Sequence, residues 1–86
     1  MIFDFDPDKN AINKDKHGLD FEGFEGFDSD PVVITDERAD YGERRFRVFG
    51  RIDGIAHMIA LAARDGNLRL LSFRRAHEKE IRRYEK

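Results

Sequence analysis

The sequence predicts a single α+β domain, built around a mainly antiparallel sheet with helices against it. Two Asp-Gly pairs, at positions 53–54 and 65–66, separate three segments rich in apolar residues, and this pair is typical of a tight β-hairpin turn. Near the N-terminus Asp6 precedes Pro7, a pattern typical of a helix start. The predicted order over residues 1–86 is β-α-α-β-β-β-β-α, an α+β arrangement.

The N-terminal segment predicts a short strand followed by a surface helix. Phe3 and Phe5 alternate with acidic residues, as in a strand with one buried face. The helix should run over residues 7–17 and end at Gly18, because glycine readily takes the left-handed conformation that ends helices. Only two apolar residues lie within it, so we expect it on the surface.

A second, shorter helix is predicted after Asp20, which can cap it. Phe21, Phe24 and Phe27 recur at a spacing of three and would form one aromatic stripe on that helix. Residues 32–35 are β-branched throughout, which predicts a strand.

Three consecutive strands and a final helix complete the predicted fold. The strands cover residues 44–50, 55–63 and 68–73, of which the middle one is almost entirely apolar and should be buried on both faces. Residues 75–86 read as a basic helix, with three inward contacts at Ala76, Ile81 and Tyr84.

The arginines of the last strand predict a sheet with no purely apolar face. Strict alternation along residues 68–75 places Arg74 on one side and both Arg69 and Arg75 on the other. Each face would then carry an arginine at its end.

Charge is divided unequally along the chain. Residues 1–43 hold thirteen acidic and four basic side chains, a net charge of −9, whereas residues 44–86 hold five acidic and twelve basic ones, a net of +7. The formal charge of −2 hides this division, and indiscriminate binding of DNA is not expected. The chain has no cysteine, no apolar run long enough to span a membrane and no signal-peptide pattern, so we expect a cytoplasmic protein.

Arginines near the sheet predict an anion-binding surface. Guanidinium groups bind phosphates and carboxylates through paired hydrogen bonds. Five of them fall on or beside the predicted strands: Arg45, Arg64, Arg69, Arg74 and Arg75. For Arg64 the structural alternative is a pair with Glu43, Glu80 or Asp65. The anion could be RNA phosphate or an acidic partner protein.

Proton transfer has one main candidate, His17, because histidine exchanges protons near neutral pH. The alternative is that His17 caps the end of the first helix. Glu80 and Tyr84 share a helix face four residues apart, which is compatible with a structural role. The histidines show no metal-ligand spacing, and neither a cofactor nor a metal is expected.

An ordered set of short motifs resembles one known family across essentially the whole chain. The motifs are Phe3-Asp4-Phe5-Asp6, Lys16-His17-Gly18, Gly42-Glu43-Arg44-Arg45, Arg64-Asp65-Gly66, Ser72-Phe73-Arg74 and Glu80 with Tyr84. In this order and spacing they resemble the BrnT toxins of bacterial type II toxin–antitoxin systems. The resemblance implies a RelE-like fold, RNA cleavage that stops translation, and a BrnA-type antitoxin. DNA would be contacted only through the toxin–antitoxin complex.

Roles carried over by this resemblance give a leading hypothesis, a metal-independent endoribonuclease. Arg64 and Arg74 would stabilise the transition state, and His17 or Glu43 would be the general base, with Tyr84 as a possible proton donor. The remaining basic positions would hold neighbouring phosphates: Lys16, Arg45, Arg69 and Arg75. The alternative is a binding subunit without turnover, which docks a DNA-binding partner for operon repression.

Overall fold

The computed structural model describes residues 3–85 and has an α+β fold with one four-stranded antiparallel sheet. The strands follow one another across the sheet in the order β1-β2-β3-β4. Their bounds are β1 Val32–Thr35, β2 Arg44–Ile52, β3 Ile55–Arg64 and β4 Asn67–Arg75. Helix α1 covers Pro7–His17 and helix α2 covers Glu78–Arg82, and a single 3₁₀ turn covers Phe21–Gly23.

The sheet confirms the predicted strands to within two residues at each end. Both Asp-Gly pairs lie in the left-handed region, with φ values of 52° and 77° at Asp53 and Gly54 and of 50° and 80° at Asp65 and Gly66. Two successive positive φ angles define the tight hairpin turn that Asp-Gly favours. The turns therefore determine how β2, β3 and β4 pair.

A bulge in β4 corrects the predicted distribution of side chains over the two faces. Ala60 pairs with Ser72 but Leu61 pairs with Leu70, so Leu71 is an extra residue. The extra residue reverses the alternation, and Arg69 therefore lies on the same face as Ser72 rather than with Phe73. The prediction that each face carries an arginine at its end is confirmed by Arg74 and Arg75, but the side predicted for Arg69 was wrong for this reason.

The face that we call the apolar face packs against the 3₁₀ turn and the chain around α1. Its buried residues form one cluster: Phe21, Phe24, Val48, Ile59, Leu61, Leu70 and Phe73. A smaller cluster lies on the opposite face, where α2 covers the ends of β2 and β3 with Phe49, Met58 and Ile81. Arg51 fixes α2 in place, donating hydrogen bonds to Glu78 and Glu85 at 2.9–3.0 Å.

Helix α1 begins and ends as predicted, but its buried residue is polar. Asp6 accepts from the Asp8 backbone N–H, and Gly18 (φ 71°) donates its backbone N–H to the carbonyl of Lys14. Asn13 is 5% exposed, and its amide both donates to the Phe73 carbonyl and accepts from the Phe73 N–H, at 2.8 and 3.1 Å. The helix is therefore attached to the edge of β4, where the Asn13 amide makes the two hydrogen bonds that the backbone of a neighbouring strand would make.

Three other predicted elements need correction. Residues 3–5 form no strand, only a single parallel bridge between Asp4 and Arg69. The second helix is only the 3₁₀ turn, because the backbone is already extended at Phe24, with φ −78° and ψ 114°. The last helix covers five residues rather than twelve, since Ala76 still bonds to Ala56 of the sheet. Its predicted contacts through Ala76, Ile81 and Tyr84 are present. Likeness to RelE stays a prediction.

Candidate active site

Strand register brings six arginines to the face opposite the apolar one. Residues paired across antiparallel strands point to the same side, and neighbouring strands lie about 4.8 Å apart. Arg45 pairs with Ala62, and Ala62 with Arg69. One step along, Arg47 pairs with Ala60, and Ala60 with Ser72. We call this surface the arginine face, and it comprises Arg45, Arg47, Arg51, Arg64, Arg69 and Arg74, with Arg51 at the end that α2 covers.

The centre of the arginine face carries only short side chains. Ala60, Ala62 and Ser72 occupy its middle positions, and the guanidinium groups extend from the strands on both sides. Ala62 is 0% exposed, so the longer side chains around it cover the centre, and a ligand approaching the sheet would meet arginine side chains rather than apolar bulk.

Glu43 links two of these arginines. It accepts hydrogen bonds from Arg64 Nε at 2.5 Å and Nη2 at 2.8 Å, and Arg45 Nη2 lies 3.5 Å from the same carboxylate. The bond from Arg64, aided by the charge of Arg45, lowers the pKa of Glu43 to about 2. Glu43 is therefore ionised at neutral pH and orients Arg64, as the structural alternative from the sequence predicted.

Two further arginines of the face also have carboxylate partners. Arg74 donates to Glu80 at 3.1 and 3.2 Å, and Arg69 donates to Asp4 at 2.9 and 3.2 Å. The bond from Arg74, followed by that from the His77 backbone N–H, lowers the pKa of Glu80 to about 2. With Arg51, which pairs with Glu78 and Glu85, six guanidinium groups meet five carboxylates, so the arginine face keeps a small excess of positive charge.

Arg47 is the arginine of this face that pairs with no carboxylate in residues 3–85. Its Nε and that of Arg45 are buried and without a hydrogen-bond partner in this part of the chain. The Arg47 guanidinium lies 5.9 Å from the centre of the Phe49 ring, and that of Arg45 lies 4.1 Å from the Tyr41 ring. A buried N–H donor without an acceptor costs stability.

His17 lies beside the arginine face at the end of α1. It lines a groove of about 290 Å³ with Lys9, Lys16 and Ser72, which itself belongs to the centre of that face. Burial, with the charges of Lys16 and Arg74, lowers the pKa of His17 below its ordinary 6.5. Gly18 caps the helix through its backbone N–H, which bonds to the Lys14 carbonyl, and the role of His17 stays a prediction.

The comparisons with known proteins identify the family. A family model described as the ribonuclease toxin BrnT of type II toxin–antitoxin systems matches residues 5–80 of the 86. The chain belongs to the BrnT family. No curated protein and no solved structure matches it. As a BrnT toxin the chain is one half of a toxin–antitoxin pair, which implies an antitoxin partner.

Most of the residues predicted for the BrnT site lie on or beside the arginine face, and Arg75 lies apart. Tyr84 packs on Phe49, ring centres 5.2 Å apart, at the end of the arginine face that α2 covers. Lys16 is exposed beside His17. Arg75 pairs with His57 and therefore lies on the other side of the sheet.

Sequence reasoning missed Arg47 as a residue of the BrnT site. Alternation along β2 already placed it on the same side as Arg45, and that was the available signal. Its lack of a carboxylate partner became visible only in the folded chain. Among residues 3–85 no group of three or more His, Asp or Glu side chains is arranged to hold a metal ion, and no helix there is long and apolar enough to cross a membrane.

Proposed function

We propose that this BrnT chain is an endoribonuclease that cuts RNA on the arginine face and thereby inhibits translation. The observation that carries the proposal is the convergence of guanidinium groups on one face of the sheet, where Arg47 has no carboxylate partner among residues 3–85. A backbone phosphate supplies both the negative charge and the acceptor oxygens that these groups lack.

The reaction is an internal transesterification of RNA. The 2′-oxygen bonds to the adjacent phosphorus while the bond from phosphorus to the 5′-oxygen breaks, which leaves a 2′,3′-cyclic phosphate and a 5′-hydroxyl end. The 2′-hydroxyl proton passes to a base on the enzyme, and the departing 5′-oxygen receives a proton. The enzyme must stabilise the charge that builds on the phosphorane oxygens.

Arg64 and Arg74 stabilise that charge, and Arg45, Arg47, Arg69 and Lys16 hold neighbouring phosphates. An arginine paired with a carboxylate can still bind a phosphate, because a guanidinium carries five N–H donors and the paired contact occupies two of them. Arg64 contacts Glu43 through Nε and Nη2, so its Nη1 side remains able to donate. Glu43 is then a positioning residue.

His17 is the general base. Its pKa lies below 6.5, so the ring is neutral at pH 7 and able to accept a proton. Glu43, with a pKa of about 2, is too weak a base at that pH. Tyr84 is our candidate for protonating the 5′-oxygen. Arg75, on the other face, has no role in this scheme.

The decisive test is cleavage of RNA by purified protein in EDTA. We expect 2′,3′-cyclic phosphate ends, and a rate lower by about 10²–10³-fold for Arg64→Ala, as when one transition-state donor is removed. Arg44→Ala is the matched control, because Arg44 is exposed and lies on the opposite side of β2. Circular dichroism should show both variants folded. Full activity of Arg64→Ala would refute the assignment.

The partner we propose is a BrnA-type antitoxin, with DNA contacted only through the complex. Expression of the chain alone should arrest growth, and co-expression of the antitoxin should restore it. The alternative, a non-catalytic subunit for operon repression, is favoured by the five carboxylates already paired to the arginine face. It predicts no growth arrest and no cleavage.

A further inference from the structure

The two edges of the sheet differ in how they are covered. At β4, Asp4 donates to the Leu68 carbonyl and accepts from the Leu70 N–H, at 3.2 and 2.8 Å, and Asn13 occupies both backbone groups of Phe73. At the other edge, β1 has no neighbouring strand within residues 3–85. Edge strands left uncovered pair readily with other chains, and proteins usually block them.

The backbone of β1 is directed outward at two positions. Asp36 donates to the Arg45 carbonyl at 2.8 Å, which makes these residues a hydrogen-bonded pair across β1 and β2. Hydrogen-bonded and non-bonded pairs alternate along an antiparallel ladder. The N–H and C=O groups of Val33 and Thr35 therefore point away from β2, where an added strand could bond to them.

An apolar groove of about 500 Å³ lies beside this edge on the apolar face. Val33, 61% exposed, and Leu68, 43% exposed, line it. The floor and the remaining apolar wall are formed by Phe3, Phe24, Phe27, Val48, Ile59 and Leu61. An extended segment paired with β1 would place every second side chain over this groove.

Charge identifies the kind of segment that fits. Asp28 and Asp30 line the groove, and residues 20–40 hold eight acidic side chains and only one basic one. A second copy of this chain, pairing β1 with β1, would bring the two acidic regions together and is therefore disfavoured. The occupant should be an extended segment with apolar residues at alternate positions and Lys or Arg at its ends.

We propose that the antitoxin adds such a strand to β1 and fills the apolar groove, on the side of the sheet opposite the arginine face. This inference rests on the proposed neutralisation of the chain by an antitoxin protein. It implies that the antitoxin has an anchoring segment distinct from any part that covers the arginines.

Two substitutions at Val33 test the docking site. Val33→Pro removes an outward N–H that β1 does not use, and proline is tolerated at such edge positions. Val33→Lys puts a positive charge where a basic segment must bind. Calorimetric titration with the purified cognate antitoxin should show binding weakened at least about tenfold by each. Ile55→Lys is the control, because Ile55 is 43% exposed but begins β3 on the far side of β2.

Other readouts separate this proposal from the ribonuclease assignment. RNA cleavage by the Val33 variants alone should equal that of the parent, since Val33 lies away from the arginine face. Amide hydrogen exchange at Val33 and Thr35 should slow in the complex. If both Val33 variants bind the antitoxin with the affinity of the parent, the proposed docking site is wrong. It is also wrong if the parent chain self-associates and Val33→Lys abolishes that self-association. If the parent cuts no RNA but Val33→Pro still weakens binding, the docking site stands and the ribonuclease assignment fails.

Discussion

Replacing Arg47 by methionine should stabilise the fold and weaken RNA cleavage at the same time. Arg47 has a buried Nε without an acceptor and pairs with no carboxylate among residues 3–85. Methionine keeps an unbranched apolar stem of similar length and removes the unsatisfied donor. Residues kept at a cost to stability are typical of functional sites.

The size of the effect follows from two opposing contributions. Relief of an unsatisfied buried donor is worth about 1–3 kcal/mol. Loss of the contact with Phe49, where the guanidinium lies 5.9 Å from the ring centre, costs about 0.5–1 kcal/mol. A net gain of about 1 kcal/mol would raise the Tm by about 4–8 °C in a domain of this size. Losing a charge-assisted bond to phosphate should weaken RNA binding by about tenfold or more.

Arg44→Met is the matched control for this variant. Arg44 also lies on β2 with its guanidinium near an aromatic ring, 5.5 Å from the centre of Phe46, but it is exposed and faces the other side. Scanning calorimetry and cleavage of a fluorogenic RNA should show Arg44→Met near parental values in both. A lower Tm with unchanged cleavage in Arg47→Met would refute the reasoning.

Three further predictions concern the fold that supports the site. Asn13→Ala should lower the free energy of unfolding by about 2–4 kcal/mol, because it leaves both backbone groups of Phe73 unpaired. Urea unfolding, with Lys14→Ala as the control variant, measures this, and a loss below about 1 kcal/mol would contradict it. Gly50→Ala should destabilise by about 1–3 kcal/mol, since a Cβ would lie 2.5 Å from Phe27 Cδ1, and an unchanged Tm would refute it. The pKa values of Glu43 and Glu80 are about 2 in the folded chain, against an ordinary value of 4.5. The free energy of unfolding should therefore fall as the pH drops from about 5 to 2. Glu80→Gln should make that decline less steep, and an equally steep decline would count against the Arg74–Glu80 pair.

The sheet could be predicted from the sequence because its turns are local. Asp-Gly pairs and alternating residues determine the hairpins without distant contacts. The final helix could not be predicted as well, because Ala76 continues the sheet by bonding to Ala56, which is distant in the chain. The burial of Asn13 was equally hidden, since a polar residue in a polar helix gives no signal of a partner sixty residues away.

The candidate site was predicted in part. The arginine positions and the Glu43–Arg64 pair were visible, but the distribution of arginines over the faces was not, because the bulge at Leu71 reverses the alternation of β4. A bulge depends on pairing with β3 and leaves no clear pattern in β4 itself. For the same reason Arg75, which the sequence grouped with the site, lies on the other face.

The most direct test of the central claim is to observe the guanidinium groups themselves during RNA binding. NMR of the arginine Nε–Hε groups, with an RNA oligonucleotide whose 2′-hydroxyls are replaced by hydrogen to prevent cleavage, reports each arginine separately. If RNA binds to the arginine face, we expect chemical-shift changes at the Nε–Hε groups of Arg45, Arg47 and Arg64, and none at those of Arg44 or Arg75. Shifts at Arg44 and Arg75, with Arg45, Arg47 and Arg64 unmoved, would contradict it.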